Sequence, residues 1–258
     1  MLKSDDWLYL DLQKTGCTFL RKKLPHISDS ENVKGKKHIV PSASDYTLPK
    51  ILTIRDPSTY YFSLWSYGLD KRGGLWKKAK KNLNSKELKN IYGDKSQKCF
   101  SKFLRLVLQP KDYLVPFKGI DLYTYRILRL LIPSREEILE FNSSLNSECS
   151  EEALNKKLNQ YLPEVLIPTE YLNSCFHTFA DNGQLDFLRL NPKWKDFFPL
   201  DAELKNSSKL SRSINSEKDS HPFLTQKTVS RIEKNSLVAL LLHKKAVSNF
   251  NLMNAAKT

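Results

Sequence analysis

The sequence offers little support for a disulfide framework, a metal site or a membrane anchor. Its four cysteines, at positions 17, 99, 149 and 175, are scattered and form no C-x-x-C pair, so both a disulfide scaffold and a structural metal are poorly supported. No run approaches the roughly 18 apolar residues that a membrane helix needs. No basic region with a following apolar stretch precedes residue 7, so we expect no secretory signal and a cytoplasmic location.

The chain also has no G-x-x-x-x-G-K-[ST] sequence, which argues against an ATP-driven kinase or ATPase. What is present suits a water-exposed globular protein. The 258 residues are 40% hydrophobic, which is enough to fill the core of one large α/β domain or two small ones.

Positive charge is in large excess. The 42 Lys and Arg against 28 Asp and Glu give a formal charge of +14. Within residues 71–105, twelve cations face only Glu87 and Asp94, so this segment has a net charge of +10. Such a segment indicates a polyanionic partner or an acidic substrate. A solvated lysine-rich face with no partner is the alternative that composition leaves open.

Residues 7–24, WLYLDLQKTGCTFLRKKL, dominate the interpretation. An apolar run at 7–12 predicts a buried strand, a glycine-containing turn follows at 14–18, and an amphipathic helix begins after it. The positive end of a helix with unpaired N–H groups suits an anion. Lys14 adds a point charge there, and Thr15 and Thr18 add hydroxyl donors. An ordinary strand–turn–helix crossover with a surface lysine is the other possibility.

The rest of the chain alternates apolar β-branched runs with helical patterns. We expect further strands at residues 37–40, 51–54 and 165–167, a largely helical region at 75–160, a polar loop at 202–222 and a closing helix at about 225–250. This order predicts a single α/β domain over residues 1–258, with three layers and a central, mainly parallel sheet flanked by helices. The helical, lysine-rich region at about 71–160 would be an insertion on the acceptor side.

Three candidate anion contacts follow strand ends. Ligands of open α/β sheets bind beyond the carboxyl ends of the strands, where the 14–18 turn and Arg55 both fall, and Ser63 lies about two turns into the next helix. A nucleotide with phosphates at two positions needs such a pair of sites, and arginine suits the second because its planar fork meets phosphate oxygens in pairs.

These motifs resemble those of sulfotransferases that use 3′-phosphoadenosine 5′-phosphosulfate. QKTGCTFLRKKL at 13–24 resembles their 5′-phosphosulfate loop, P-K-T-G-x-T-x-L, and IRDPSTYYFS at 54–63 resembles their 3′-phosphate motif. Residues 206–212 are similar to a late N-x-S-[KR] loop, and 167–172 to a strand-to-helix element with an acidic residue. Gln13 replaces the usual proline, and Cys17 stands where a second glycine often occurs. Residues 75–160 match no motif of the family.

The resemblance implies a P-loop-like sulfotransferase fold and a role for each matched position. The donor would be 3′-phosphoadenosine 5′-phosphosulfate and the product adenosine 3′,5′-bisphosphate, with no metal required. Lys14 would neutralise charge on the leaving group, and Arg55 and Ser63 would hold the 3′-phosphate. The 5′-phosphosulfate would be held by backbone N–H groups of Thr15, Gly16, Cys17, Thr18 and Phe19. The late loop would contribute Asn206, Ser208, Lys209 and Arg212.

A base should accept the proton of the acceptor hydroxyl, and histidine is the best match near neutral pH. We expect His38 to do so, because it follows a predicted strand near where glycan sulfotransferases carry a catalytic histidine. A surface histidine without a role is the alternative. The acceptor would be a hydroxyl, with a carbohydrate and in particular an anionic polysaccharide as the leading class. No membrane anchor and no nucleic-acid partner are expected, which suits a protein of a bacterium or of a virus-infected host cell.

Two other functions remain open at this point. A non-enzymatic basic nucleic-acid-binding protein would explain the charge, although no helix-turn-helix, zinc-finger or RNA-binding signature is present. A degenerate sulfotransferase-fold protein without transfer activity would explain the motifs.

Overall fold

The computed structural model of the chain describes residues 1–146, 150–200 and 222–255. These residues form an α/β structure in which helices flank a four-stranded, mostly parallel, open sheet. The predicted α/β class with a mainly parallel sheet is therefore confirmed. The finer class, a three-layer P-loop-like sulfotransferase fold, stays a prediction.

The sheet has the strand order β1-β2-β3-β4. Its strands are β1 (Leu2–Lys3), β2 (Leu8–Leu10), β3 (Lys50–Ile54) and β4 (Val165–Pro168). The last three run parallel, with Tyr9 opposite Ile51 and Ile51 opposite Val165, whereas β1 pairs antiparallel with β2 at one edge. Every residue of β2 and β4 is buried, as the continuous apolar runs predict for parallel strands.

The helices account for most of the remaining described residues. Asp56 caps one of them by accepting a bond of 2.9 Å from the N–H of Thr59, and Pro57 occupies its first turn. The helices are α1 (Cys17–Ile27), α2 (Pro57–Leu69), α3 (Gly74–Asn82), α4 (Ser85–Tyr92), α5 (Gln97–Leu108), α6 (Leu122–Leu131), α7 (Arg135–Asn146), α8 (Glu151–Asn159), α9 (Leu172–Asp181), α10 (Trp194–Phe197), α11 (Gln226–Asn235) and α12 (Leu237–Ala255).

The chain divides into two compact units. Among the described residues, the sheet unit comprises 1–55, 126–146, 150–200 and 241–255, and the helical unit comprises 56–125 and 222–240. The prediction of a single domain with a helical insertion at about 71–160 stays a prediction.

Each unit has its own apolar packing. In the sheet unit, Trp7, Tyr9 and Phe176 belong to one core cluster between the sheet and its helices. In the helical unit, the rings of Tyr60 and Tyr123 stack with centroids 3.5 Å apart. Most residues of α2, to which Tyr60 belongs, are buried in this unit.

The predicted strand at residues 37–40 is wrong. Residues 37 and 38 form a turn, and the strand next to β2 on that side is β1. His38 has φ 57°, in the left-handed region that a strand cannot contain. The apolar pair Ile39 and Val40 misled the interpretation, because two β-branched residues before a proline match a short strand in composition alone.

The predicted closing helix is also corrected. It consists of two helices, α11 and α12, which are separated at Ser236. Asn235 and Ser236 favour helix ends over helix interiors because their side chains compete for backbone hydrogen bonds. The Asn235 amide donates to the carbonyl of Arg231 at 2.8 Å. The predicted polar loop at 202–222 lies outside the described residues apart from its last position.

Candidate functional site

The turn between β2 and α1, residues 13–16, has an unusual backbone and is called the Lys14 turn below. Gly16 has φ 80°, and Lys14 has φ 71°. Glycine adopts left-handed conformations without steric cost, whereas a residue with a Cβ atom does so rarely. Such strain at a lysine is held by the surrounding structure and is typical of functional turns.

Helix α1 starts immediately after this turn. Cys17 and Thr18 are its first two residues, where N–H groups have no partner inside a helix. Within the part of the chain that the structure describes, these two N–H groups donate to no acceptor. The N–H of Phe19, which was also predicted to bind the ligand, already donates to the carbonyl of Gly16 at 2.9 Å. The start of α1, directly after the Lys14 turn, therefore has two N–H donors without an acceptor among the described residues, at the positive end of a helix dipole.

A buried chain of hydroxyl groups holds the Lys14 turn against the sheet. Thr15 donates to the carbonyl of Leu12 at 2.8 Å and lies 2.8 Å from the Thr53 hydroxyl, which lies 3.0 Å from the Tyr9 hydroxyl. Since a carbonyl can only accept, the order of donation is Tyr9 to Thr53 to Thr15 to Leu12. The Thr15 hydroxyl, which was predicted to donate to a ligand, thus already donates its hydrogen to the Leu12 carbonyl.

Arg55 follows β3 directly and reaches the same turn. Its Nη1 lies 3.5 Å from the main-chain oxygen of Lys14. The strands before these two residues are parallel neighbours, so both loops leave the sheet at its carboxyl edge. Thr169, after β4, joins this edge by donating to the carbonyl of Ile54 at 2.8 Å. The structure therefore brings together two of the three predicted anion contacts.

His38 is bound in two places by Asp11, which precedes the Lys14 turn in the chain. The carboxylate of Asp11 accepts the His38 N–H at 2.8 Å, and the Asp11 carbonyl lies 2.9 Å from His38 Nδ1. A carbonyl accepts only, so Nδ1 carries the proton in the neutral ring and Nε2 keeps its lone pair. Asp11 is itself fully buried and accepts a bond from Arg21 at 3.2 Å.

Lys37 is a cation at this site that the sequence analysis did not single out. Its Nζ donates to the hydroxyl of Thr18 at 3.3 Å. A cation is unfavourable at the positive end of a helix. The neighbouring Asp11 carboxylate already accepts hydrogen bonds from Arg21 and from the N–H of His38. An anion on the Lys14 turn would compensate these charges.

The thiol of Cys17 is not poised to react. Burial raises its pKa, and the nearby Asp11 carboxylate raises it further, outweighing the opposing effects of the Lys14 N–H and of Lys37. A thiol with a raised pKa is a poor nucleophile at neutral pH. At this position the backbone of Cys17 matters, while its side chain fills the core.

The chain matches no protein-family model, no curated protein and no solved structure. Any assignment of function therefore rests on the residues themselves and on their geometry.

Several predicted site residues lie elsewhere in the chain. Ser63 is in the helical unit, buried in α2, where its carbonyl accepts the Ser66 hydroxyl at 3.2 Å. Its predicted role at the 3′-phosphate stays a prediction. The four residues predicted in the late loop lie outside the described residues, namely Asn206, Ser208, Lys209 and Arg212.

Other histidines have structural partners. His177 lies 2.7 Å from the Phe198 carbonyl. His26 is exposed at the end of α1 and stacks on Phe197. His243 pairs with Glu170 at 3.2 Å, a contact between residues far apart in sequence that no local pattern indicates.

Two kinds of feature are absent from the described residues. Across residues 1–146, 150–200 and 222–255, no group of three or more His, Cys, Asp or Glu side chains is arranged to hold a metal ion. No helix in these ranges is both long enough and apolar enough to cross a bilayer.

Proposed function

We propose that this chain is a sulfotransferase that moves a sulfuryl group from 3′-phosphoadenosine 5′-phosphosulfate to an acceptor hydroxyl. The observation that carries the proposal is the meeting of the Arg55 guanidinium with the Lys14 turn at the carboxyl edge of the sheet. A sulfotransferase fold with three layers is part of the proposal. It is supported by the parallel arrangement of β2, β3 and β4 and by the order of the motifs.

The residues of this edge fit a donor with two anionic ends. The free N–H groups of Cys17 and Thr18 suit the phosphosulfate. Arg55 offers a planar fork for a second phosphate. The bound donor would supply the sulfuryl group, and the chain would supply position and charge.

Lys14 and Lys37 provide positive charge without a metal ion. Sulfuryl transfer resembles phosphoryl transfer in that alignment and electrostatic stabilisation account for most of the catalysis. Lys14 would stabilise negative charge on the leaving oxygen. Lys37, which already contacts Thr18, would stabilise charge at the start of α1.

His38 is the proposed base. With Nδ1–H directed to the Asp11 carbonyl, Nε2 of the neutral ring is available to accept a proton. The Asp11 carboxylate, 3.8 Å from Nδ1, would stabilise the imidazolium after transfer, as a buried carboxylate does beside other catalytic histidines.

One rival function has a specific observation in its favour. The net charge of +10 in residues 71–105 also suits a non-enzymatic protein that binds nucleic acid. That function gives no reason for free N–H groups, two lysines and an arginine around the Lys14 turn. A degenerate sulfotransferase would bind the nucleotide and transfer nothing.

One experiment separates the three. Transfer of labelled sulfate from the donor to a panel of hydroxyl acceptors is measured alongside stabilisation against heat by adenosine 3′,5′-bisphosphate, ATP and DNA. We expect transfer, with stabilisation by the bisphosphate alone. Lys14→Met should slow transfer by roughly a hundredfold or more, and Lys22→Met, on the exposed face of α1, is the matched control. Stabilisation by DNA alone would favour the nucleic-acid binder, and stabilisation by the bisphosphate without transfer would favour the degenerate protein.

A further inference from the structure

The cations of residues 71–105 are exposed side chains of the helical unit and are together called the basic surface below. All twelve side chains are exposed, and none forms an ion pair with any described residue. The two acids of the segment are occupied in backbone contacts. Glu87 accepts the Asn84 N–H at 3.0 Å, and Asp94 accepts the Ser96 N–H at 3.0 Å. The two carboxylates can balance only two of the twelve positive charges, so ten have no counter-charge within the segment.

Helix α5 shows how the sequence builds this surface. It buries Phe100, Phe103 and Val107 on one side and presents Lys98, Lys102 and Arg105 on the other. At 1.5 Å per residue, these three charges span about 10 Å along the axis. They form a single stripe, because residues three and four apart share a helix face.

Helix α3 repeats the pattern with Leu75 and Ala79 buried. Its exposed charges are four lysines and no acid: Lys77, Lys78, Lys80 and Lys81. Like charges four residues apart repel one another and weaken the helix. A bound polyanion would remove this repulsion. A helix with interspersed positive and negative charges would not have the repulsion in the first place.

The basic surface is poorly equipped to read nucleic acid. Stacking of bases needs exposed aromatic rings, yet Phe100 and Phe103 are fully buried. Trp76 is half-buried, and its ring already lies under the Lys80 ammonium, 5.2 Å from the ring centroid. Ten of the twelve cations are lysines, which lack the planar fork that arginine uses on base edges.

We propose that the basic surface binds an anionic polysaccharide, a polymer carrying sulfate or carboxylate groups, and that this polymer is the acceptor substrate. Lysines on a solvent-exposed helix face suit a flexible polymer that carries many separate negative charges. Binding of such a polymer is electrostatic and requires neither base stacking nor recognition of a fixed shape. The polymer also carries the hydroxyl groups that sulfuryl transfer requires. The identification as acceptor rests on the proposed function, whereas the binding itself does not.

Binding is tested with the full chain and three probes at several salt concentrations. The probes are heparin, a single-stranded DNA oligonucleotide of matched charge, and neutral dextran. We expect heparin to bind most tightly, with affinity that falls steeply as salt rises, and dextran not to bind. Oligonucleotide binding as tight as heparin binding would overturn the proposal in favour of nucleic acid.

Variants locate the binding. The triple change Lys98→Glu, Lys102→Glu and Arg105→Glu should weaken heparin binding by roughly tenfold or more. Three positive side chains that attract the anionic groups of heparin become negative and repel them. The matched control reverses three exposed lysines of the sheet unit that form no ion pair with a described residue: Lys22→Glu, Lys156→Glu and Lys244→Glu. Circular dichroism checks that both variants fold. Equal weakening in the two variants would contradict the proposal.

A second measurement keeps the two proposals apart. Adenosine 3′,5′-bisphosphate should bind the basic-surface variant as tightly as the unaltered chain. If the unaltered chain binds heparin through this surface and does not bind the bisphosphate, the proposed function fails and the polysaccharide site stands. If the bisphosphate binds and heparin does not, the polysaccharide proposal fails alone.

Discussion

The guanidinium of Arg55 lies 3.5 Å from the main-chain oxygen of Lys14, measured from its Nη1. Forty-one positions separate the two residues in sequence, and the parallel pairing of β2 with β3 brings them together. The arginine thus meets a turn that already has free N–H donors at the start of α1. This contact is the basis for assigning both residues to one nucleotide.

Loss of the Lys14 charge should reduce catalysis more than folding. In Lys14→Met the stem is kept, the ammonium is removed, and the left-handed backbone still carries a Cβ atom. We expect kcat to fall by roughly a hundredfold or more, as for removal of one charge-stabilising group, with the free energy of unfolding unchanged. Lys37→Met should show a smaller loss. A fall in kcat no larger than that of Lys22→Met would contradict the assigned role.

His38 should matter for the chemical step and not for donor binding. His38→Asn is the appropriate change, because asparagine tolerates the left-handed backbone and can still donate to the Asp11 carbonyl. It lacks only the Nε2 acceptor. We expect kcat to fall by about 10²–10⁴-fold with unchanged affinity for adenosine 3′,5′-bisphosphate, and His26→Asn is the control.

The tautomer of His38 can be measured directly. Nitrogen NMR of the neutral ring should show the proton on Nδ1 in the unaltered chain. The account of His38 as the base would be contradicted by a proton on Nε2, whatever the activity.

The hydroxyl chain behind the Lys14 turn should contribute to stability. Thr53→Val keeps the shape of the side chain and leaves the buried Tyr9 hydroxyl without its acceptor. We expect the free energy of unfolding to fall by about 1–3 kcal/mol, measured by urea unfolding. The double variant Thr53→Val, Tyr9→Phe should be more stable than Thr53→Val alone, because it no longer buries a Tyr9 hydroxyl without an acceptor. Additive losses in the two variants would show that the chain of donors is misassigned.

Asp121 should make the stability of the helical unit depend on pH. Burial raises the pKa of this carboxyl, although it accepts bonds from the Tyr61 hydroxyl and the N–H groups of Tyr123 and Thr124. Its Oδ2 has no partner in the described residues. A raised folded-state pKa favours the protonated form, so its stabilising contribution is complete below the unfolded-state pKa. The contribution is lost as pH rises through the folded-state value.

Asp121→Asn tests this dependence. A difference of one in pKa between the folded and unfolded states corresponds to about 1.4 kcal/mol. The variant should therefore gain stability relative to the unaltered chain as pH rises from 4 to 8, in urea unfolding at each pH. A constant difference across this range would show that Asp121 titrates as an ordinary carboxyl.

The sequence predicted the parts of the site that depend on one chain segment. The strand, turn and helix of residues 7–24 follow from local apolar patterning, and Arg55 was located because it follows a short β-branched run. The left-handed backbone of Lys14 has no signature in residue type, since left-handed lysines are rare. The neighbouring Thr15 is bonded to Leu12 and Thr53, and a contact with a separate strand cannot be read from the local sequence.

Contacts between distant segments were not predictable in this way. Lys37 contacts Thr18 in α1, and His38 is bound to Asp11. The sequence instead indicated a strand at residues 37–40. Pairing of His243 with Glu170 depends on the packing of α12 near the end of β4. The break at Ser236 was missed because helical spacing of apolar residues continues across it.

The most direct measurement is calorimetric titration of the unaltered chain and of Arg55→Ala with adenosine 3′,5′-bisphosphate and with adenosine 5′-monophosphate. The unaltered chain should prefer the bisphosphate by about tenfold or more, because a charge-assisted hydrogen bond contributes about 1.5–3 kcal/mol. Arg55→Ala should bind both nucleotides with similar, weaker affinity. Equal affinity of the unaltered chain for the two nucleotides, or no binding of the bisphosphate, would contradict the account.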